Sequence, residues 1–258
     1  MTQHENEYDE NLVALLEMLW GEGFLSPGGP EAVRRIIGKA ELDGRLLLDI
    51  GCGIGGIDVM LAREYGARVI GLDIEQDLID RGRRKVEAAG LSDQVDLRLT
   101  VPGPLPLADG EVDVVFGKDA WLHIEDKSAF FAEIYRVLRP GGRLIAGDWL
   151  GGPDPWSAEM ACFVELEGIT YHLKTLDEYR RYLLDCGFEA MEMEDISADY
   201  RAQAHREYET MKGVLYDRMC EVMGRDQADH YVENWRMLTV VLDRGELRPS
   251  RFRAVKSG

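Results

Sequence analysis

The residues best placed to do chemistry in this 258-residue chain lie in Leu46-Leu47-Leu48-Asp49-Ile50-Gly51-Cys52-Gly53-Ile54-Gly55-Gly56. An apolar run ends in an acid, and a glycine cluster follows at once. This reads as a buried strand stopping at a tight turn, where a ligand's polar groups meet bare backbone amides. Only a residue without Cβ lets the chain turn so sharply and approach a ligand so closely. Gly51, Gly53 and Gly56 satisfy the GxGxxG spacing of a dinucleotide-binding turn. With Gly55 they also give Asp-x-Gly-x-Gly-x-Gly, in which the acid closes the strand itself. A pyrophosphate is poorly placed beside Asp49. A ligand with a positive centre, such as a sulfonium carrying an amino-acid tail, is favoured there. Asp73 ends Val69-Ile70-Gly71-Leu72-Asp73-Ile74, where an acid accepts hydrogen bonds from both hydroxyls of a ribose. Ile74 beside it can pack on an adenine face.

The elements that must position these residues follow from the hydropathy pattern. Seven segments read as strands by apolar run and β-branched content: 45–50, 68–73, 95–99, 112–116, 143–148, 190–196 and 252–255. Helical patterns cover 30–39, 56–65, 76–89, 127–138 and 175–186, the last opening on Thr175 and Glu178 at capping-box spacing. The alternation predicts a parallel sheet covered by helices on both faces. Two segments stand outside it, an amphipathic stretch at 5–24 and a long helical block at 200–244. Both are candidates for a lid over the ligand site; the other reading is that they pad the sheet edge. The expected organisation is an N-terminal helical lid (1–40), a ligand-binding core (41–198), a helical cap insertion (199–245) and the final core strand (246–258).

The length suits one large α/β domain or a core with a small cap. With 48 acids against 30 bases, the formal net charge is −18. Such a chain repels phosphate backbones and anionic membranes, which argues against nucleic acid as partner. No apolar run approaches the roughly 20 residues of a membrane span. The polar, acidic stretch from Met1 to Asn11 does not read as a secretory signal. Cys52, Cys162, Cys186 and Cys220 are scattered without a CxxC pair, so they read as thiols of a reducing compartment, and the expected location is cytoplasmic. His4, His172, His205 and His230 have no spacing that supports a metal site.

Glu111-Val112-Asp113-Val114-Val115-Phe116 reads as a fourth strand. Glu133 to Leu144 reads as a helix end, a Pro140-Gly141-Gly142 turn and a fifth strand. Together with the glycine turn, these segments resemble the class I S-adenosylmethionine-dependent methyltransferases over roughly residues 40–150. The resemblance implies a Rossmann-like, seven-stranded α/β sheet with helices on both faces, a reversed last strand and a helical cap. It implies S-adenosylmethionine as cofactor and no metal. Trp20-Gly21-Glu22-Gly23-Phe24-Leu25-Ser26-Pro27 looks like the segment preceding the core in phosphoethanolamine N-methyltransferases, whose serine contacts the methionine part of the cofactor. Lys118-Asp119-Ala120-Trp121-Leu122-His123 resembles their Arg-Asp-Ala-x-x-His segment; glycine, sarcosine and dimethylglycine methyltransferases carry similar ones.

Carried over residue by residue, the resemblance makes His123 and Tyr8 a catalytic pair. An amine is mostly protonated near neutral pH, and a histidine can remove the proton. The implied cofactor contacts are Leu25, Ser26, Asp49, Gly51, Gly53, Asp73, Ile74, Thr100, Val101, Asp119 and Ala120. The implied acceptor contacts are Leu16, Trp149, Glu165 and Tyr171. The chain also departs from the family. Trp149 replaces a tyrosine. Glu165, Ile169 and Thr239 fall where a tyrosine, an arginine and a lysine hold the substrate phosphate, so a cationic acceptor fits better than phosphoethanolamine. Arg180 or Arg181 either compensates or is a helix-surface residue. Val101 falls where an acid meets adenine, which leaves adenine to backbone groups or Thr100.

The expected activity is methyl transfer to a small polar molecule, first of all to the nitrogen of a phosphobase, amino acid or related amine. The alternatives are an oxygen or sulfur nucleophile on a carboxylic-acid or natural-product acceptor, and a non-catalytic adenosyl-ligand binder. The chain is expected to work as a monomer or homodimer.

Overall fold

In the computed structural model, which describes residues 8–258, seven strands build one sheet: β1 (Leu46–Ile50), β2 (Arg68–Asp73), β3 (Val95–Leu99), β4 (Val112–Lys118), β5 (Leu138–Asp148), β6 (Phe188–Asp195) and β7 (Ser250–Lys256). Their order is β3-β2-β1-β4-β5-β7-β6. β7 runs antiparallel to both neighbours, and the other pairs are parallel. The seven-stranded sheet with its reversed last strand is therefore the one the sequence led us to expect. The central strands are near-continuous aliphatic runs because helices cover both faces.

On one face pack α2 (Gly29–Ile37), α3 (Gly56–Tyr65) and α4 (Gln76–Ala88), burying Val33, Ile36, Leu61 and Ile79 against the sheet. On the other pack α5 (Lys127–Val137) and α7 (Leu176–Cys186), with Phe131, Ile134, Tyr179 and Leu183. The foreseen capping box opens α7: Thr175 Oγ1 accepts from Glu178 N, and the Glu178 carboxylate accepts from Thr175 N.

A third apolar cluster stands over the C-terminal ends of the strands. It joins α1 (Glu10–Trp20), α6 (Ala158–Glu167), α8 (Ser197–Met211), α9 (Tyr216–Met223) and α10 (Arg225–Asp243). The long helical block at 200–244 is thus three helices. The N-terminal helix is shorter than the 5–24 stretch, whose first three residues lie outside the described residues. Its N-cap is Asp9, whose side chain accepts from Leu12 N at 2.7 Å, and it ends at Gly21. Helix α6 has no counterpart in the sequence reading, because its apolar residues show little one-sided periodicity. The Pro140-Gly141-Gly142 turn bulges out of β5, which already pairs at Leu138 with Val112 and rejoins β4 at Arg143 opposite Val114. No helix among the described residues is long and apolar enough to cross a membrane.

β1 and β4 lie side by side, and the chain leaves them in opposite directions to β2 and β5. Such a switch point opens a crevice at the C-terminal strand ends, where α/β folds bind ligands. Asp49, Asp73, Asp119 and Trp149 stand at the ends of four of these strands.

Candidate active site

Leaving β1, the chain turns so that Gly51 N and Cys52 N both donate to Leu72 O, at 2.8 and 3.0 Å. Gly51 has φ of 88°, and a Cβ on it would overlap the Ala120 methyl, so a glycine and a small residue are required together. A Cβ on Gly56 would overlap the Gly23 carbonyl, which brings the 21–26 loop directly onto the start of α3. Gly53 N donates to Asp73 Oδ2 at 2.8 Å, which joins the turn to the end of β2. Thr100 N donates to Asp73 O at 2.8 Å. Around this carboxylate Ile74 and Val101 are 58% and 74% exposed, two large apolar side chains left to solvent at the rim of a polar turn. Leu25 lies across the turn from Gly53. Bare amides, an acid and an apolar rim form a cradle that fits an adenosine carrying a charged tail.

Asp49 departs from the expected direct contact. It is 1% exposed, and neither carboxylate oxygen reaches the surface or meets a donor. Asp58 of α3 is buried next to it, also without a partner beyond its own backbone amide. Burial pushes Asp49 well up from the ordinary carboxylate range, helped by Asp58 and Asp73. Burial raises Asp58 to about 7. Two orphaned carboxyls thus lie behind the turn rather than on it. A positive sulfonium placed before them would favour their ionised form. Every other residue of the expected cofactor set is at least partly exposed.

Beside the turn, Lys118 is buried at the end of β4, its Nζ donating to Ser26 Oγ (2.9 Å), Pro27 O (2.8 Å) and the Asp119 carboxylate. Tyr200 OH of α8 donates to Asp119 Oδ2 at 3.0 Å, and its ring meets Trp149 edge-on at 5.0 Å. This network ties the 21–27 loop, β4 and the cap together. It also uses up the Asp119 carboxylate, which leaves the residue's backbone, at φ of 56°, as its ligand-facing part. Ser26 accepts from Lys118, so its own hydroxyl proton remains to be given elsewhere.

His123 lies on a short 3₁₀ turn, Trp121–His123. The turn is clamped from beneath. Lys127 Nζ donates to Trp121 O at 2.8 Å and to Ile124 O, and Asp148 Oδ1 accepts from Leu122 N at 3.3 Å. Asp148 Oδ2 accepts from Tyr179 OH at 2.6 Å. Burial raises Asp148 to about 7 and lowers Lys127 to about 8. His123 Nδ1 lies 3.1 Å from Thr170 O. A carbonyl only accepts, so Nδ1 carries the hydrogen and Nε2 the lone pair. His172 N donates to Leu122 O at 2.9 Å, and these two links hold Tyr171 beside the imidazole, ring centroids 6.2 Å apart.

Tyr8 packs with Leu25, Val13 and Ile54 on one side and with the cap on the other, and it enters the electrostatic surroundings of Tyr171. The N-terminal segment therefore spans both halves of the site. Among the expected acceptor contacts, Trp149 and Tyr171 stand on the cap side of the crevice. Leu16 is 4% exposed and buried within the cap cluster, where α1 packs on α9. Glu165 is exposed, because α6 turns Met160 and Phe163 inward and residue 165 lies some 200° around the helix from Phe163. Glu167 takes the inward direction instead, and Tyr171 OH donates to its Oε2 at 3.3 Å.

Lys118, Lys127, Asp148, Tyr179, Tyr200, Glu167 and Asn234 were not singled out by sequence reading. Only Lys118 and Asp148 carried a signal, as polar residues closing otherwise apolar strands. The described residues include no group of three or more side chains able to hold a metal ion.

Residues 48–146 match the sequence profile of a methyltransferase domain. Phosphoethanolamine N-methyltransferase 3 of Arabidopsis thaliana is 28% identical over 252 residues, covering 97% of this chain and 50% of that protein. The phosphoethanolamine N-methyltransferase of Plasmodium falciparum is 30% identical over 201 residues, covering 76% of this chain and 73% of that protein. The chain spans about half the length of the plant relatives it matches. Among solved structures, Haemonchus contortus phosphoethanolamine N-methyltransferase 2, with phosphomonomethylethanolamine and S-adenosylhomocysteine, aligns with a TM-score of 0.91. That match has 24% identity and covers 98% of this chain and 59% of the other; it is a likeness of fold.

Proposed function

Because this chain belongs to the class I S-adenosylmethionine-dependent methyltransferases, we propose that it methylates an amine nitrogen of a small polar acceptor. The cofactor supplies an electrophilic methyl on a positive sulfur. Gly51, Gly53, Leu25, Ser26, Asp73, Ile74, Thr100, Val101, Ala120 and the Asp119 backbone would hold it, with Asp49 buried behind the turn. His123 Nε2 would take a proton from the acceptor nitrogen and free its lone pair to attack the methyl, the sulfur keeping the electron pair of its broken bond to carbon. Tyr8 orients the imidazole and latches α1 over the crevice, and α8–α10 complete the lid that excludes water.

The observation that carries this reading is His123 Nδ1 at 3.1 Å from Thr170 O, which leaves Nε2 as the ring nitrogen suited to act as base beside Tyr171. Four cysteines without a disulfide suit a reducing, cytoplasmic setting. The catalytic unit is a monomer or homodimer. Incubation with S-adenosylmethionine and a panel of amines, alcohols and thiols should give N-methyl products by mass spectrometry. His123→Ala should lower kcat about 100-fold or more while cofactor affinity stays within about threefold. Methyl groups found on oxygen or sulfur, or turnover by His123→Ala equal to the parent across pH, would overturn the assignment.

A further inference from the structure

The inward end of α6 brings an acid to the acceptor side with no lysine or arginine paired to it. Glu167 takes a hydrogen bond from Tyr171 and lies beside the Asn234 amide, both neutral, and no ion pair of the described residues involves it. The basic side chains of the neighbouring elements are engaged or turned away. Arg236 pairs with Glu233, Arg244 with Glu246, and Arg225 lies over the Tyr216 ring. Lys174 acts on Glu178, and Arg180 and Arg181 are exposed on α7. Asn234 makes an independent case. It is 3% exposed, its amide group serves Glu167, and its side-chain carbonyl Oδ1 meets no donor among the described residues. A carboxylate and an orphaned carbonyl side by side, walled by Tyr171 and Phe163, ask for a group with several N–H donors and a positive charge.

We propose that Glu167 and Asn234 Oδ1 receive the ammonium group of the acceptor, and that this acceptor carries no phosphate. The assignment rests on the amine reading above and narrows it. A phosphate entering here would lose its water beside a carboxylate without meeting an arginine or lysine. An ammonium gains a charge-assisted hydrogen bond from each acceptor atom. Burial pushes the Glu167 carboxyl up, and Asn234 and Tyr171 offset only part of that cost, as expected of a site completed by a cation.

The test uses the S-adenosylhomocysteine-loaded protein, so binding is read without methyl transfer. Calorimetry would compare ethanolamine with phosphoethanolamine, which differ only in the phosphate, and would add putrescine and dimethylaminoethanol. The parent should bind at least one unphosphorylated amine at least tenfold more tightly than phosphoethanolamine. Glu167→Gln should weaken that amine tenfold or more, and Glu167→Asp should retain part of the affinity. S-adenosylhomocysteine affinity, measured on each variant, reports whether its fold is intact. Tighter binding of phosphoethanolamine by the parent, no binding of any unphosphorylated amine, or unchanged amine binding by Glu167→Gln with the cofactor product still bound would overturn the proposal. An amine that binds through Glu167 but is never methylated would instead overturn the amine-transfer reading alone.

Discussion

Gly51 to Gly56 build a binding surface from six consecutive residues, almost entirely of backbone, whereas the pocket around His123 collects side chains from positions 8, 123, 167, 171 and 234. The first is local and rigid. Its amides, its φ angles and its contacts with Ala120 and Gly23 leave no room for a Cβ. Its carboxyls, Asp49 and Asp58, are kept behind the surface. The second has its charges and hydroxyls in the pocket and depends on α1, the 3₁₀ turn, α6 and α10 being held together. A backbone cradle suits a ligand that does not change, whereas a pocket of side chains can be altered one residue at a time. That contrast lets a shared turn coexist with acceptor sides that differ from one enzyme to another.

The contrast breaks most severely at Gly56. Gly56→Ala drives a Cβ into the Gly23 carbonyl, a backbone atom that cannot rotate away. It should cost about 3 kcal/mol of stability and weaken S-adenosylmethionine binding more than tenfold, by thermal unfolding and calorimetry. Full affinity in this variant would show the turn to be far more compliant than its packing implies.

A smaller effect tests the charges behind the turn. The folded Asp58 carboxyl, at about 7, lies above its unfolded value of 3.8, so the native state holds the extra proton in between. Its contribution to stability is therefore lost as pH rises through that window. Relative to the parent, Asp58→Asn should gain about 2 kcal/mol between pH 5 and pH 8, measured by denaturant unfolding at each pH. Parallel pH curves would mean that the carboxyl is not so raised.

The smallest expected change concerns the joint between the two regions. Tyr200→Phe removes the hydroxyl that α8 gives to Asp119 but keeps the ring against Trp149. About 1 kcal/mol should be lost, seen as a several-fold rise in the S-adenosylmethionine Kd with kcat little changed. An unchanged Kd would mean that the cap and the cofactor side are energetically independent.

Much of the first region was legible in the sequence because its information is local. Strand, turn and helix follow one another within eleven residues, and Asp73 is placed by the next strand of the same unit. The second region was legible only as single residues. His123 stood out through its segment, but neither Lys127 nor Asp148, which clamp its turn, announced itself. On α6, Glu165 and Glu167 differ little in sequence context, yet a helix points them in nearly opposite directions.

The sequence alone determined the strands of the sheet and the glycine turn, since periodicity and glycine placement act over short stretches of chain, while the reversed last strand and the cofactor class followed only from the family resemblance. Only the tertiary structure decided which carboxylates face the crevice, which are locked away and which residues bring His123 and Tyr171 together. Those outcomes depend on helix phase and on packing between elements as many as 218 residues apart, from Asp9 to Gln227, which no local pattern records.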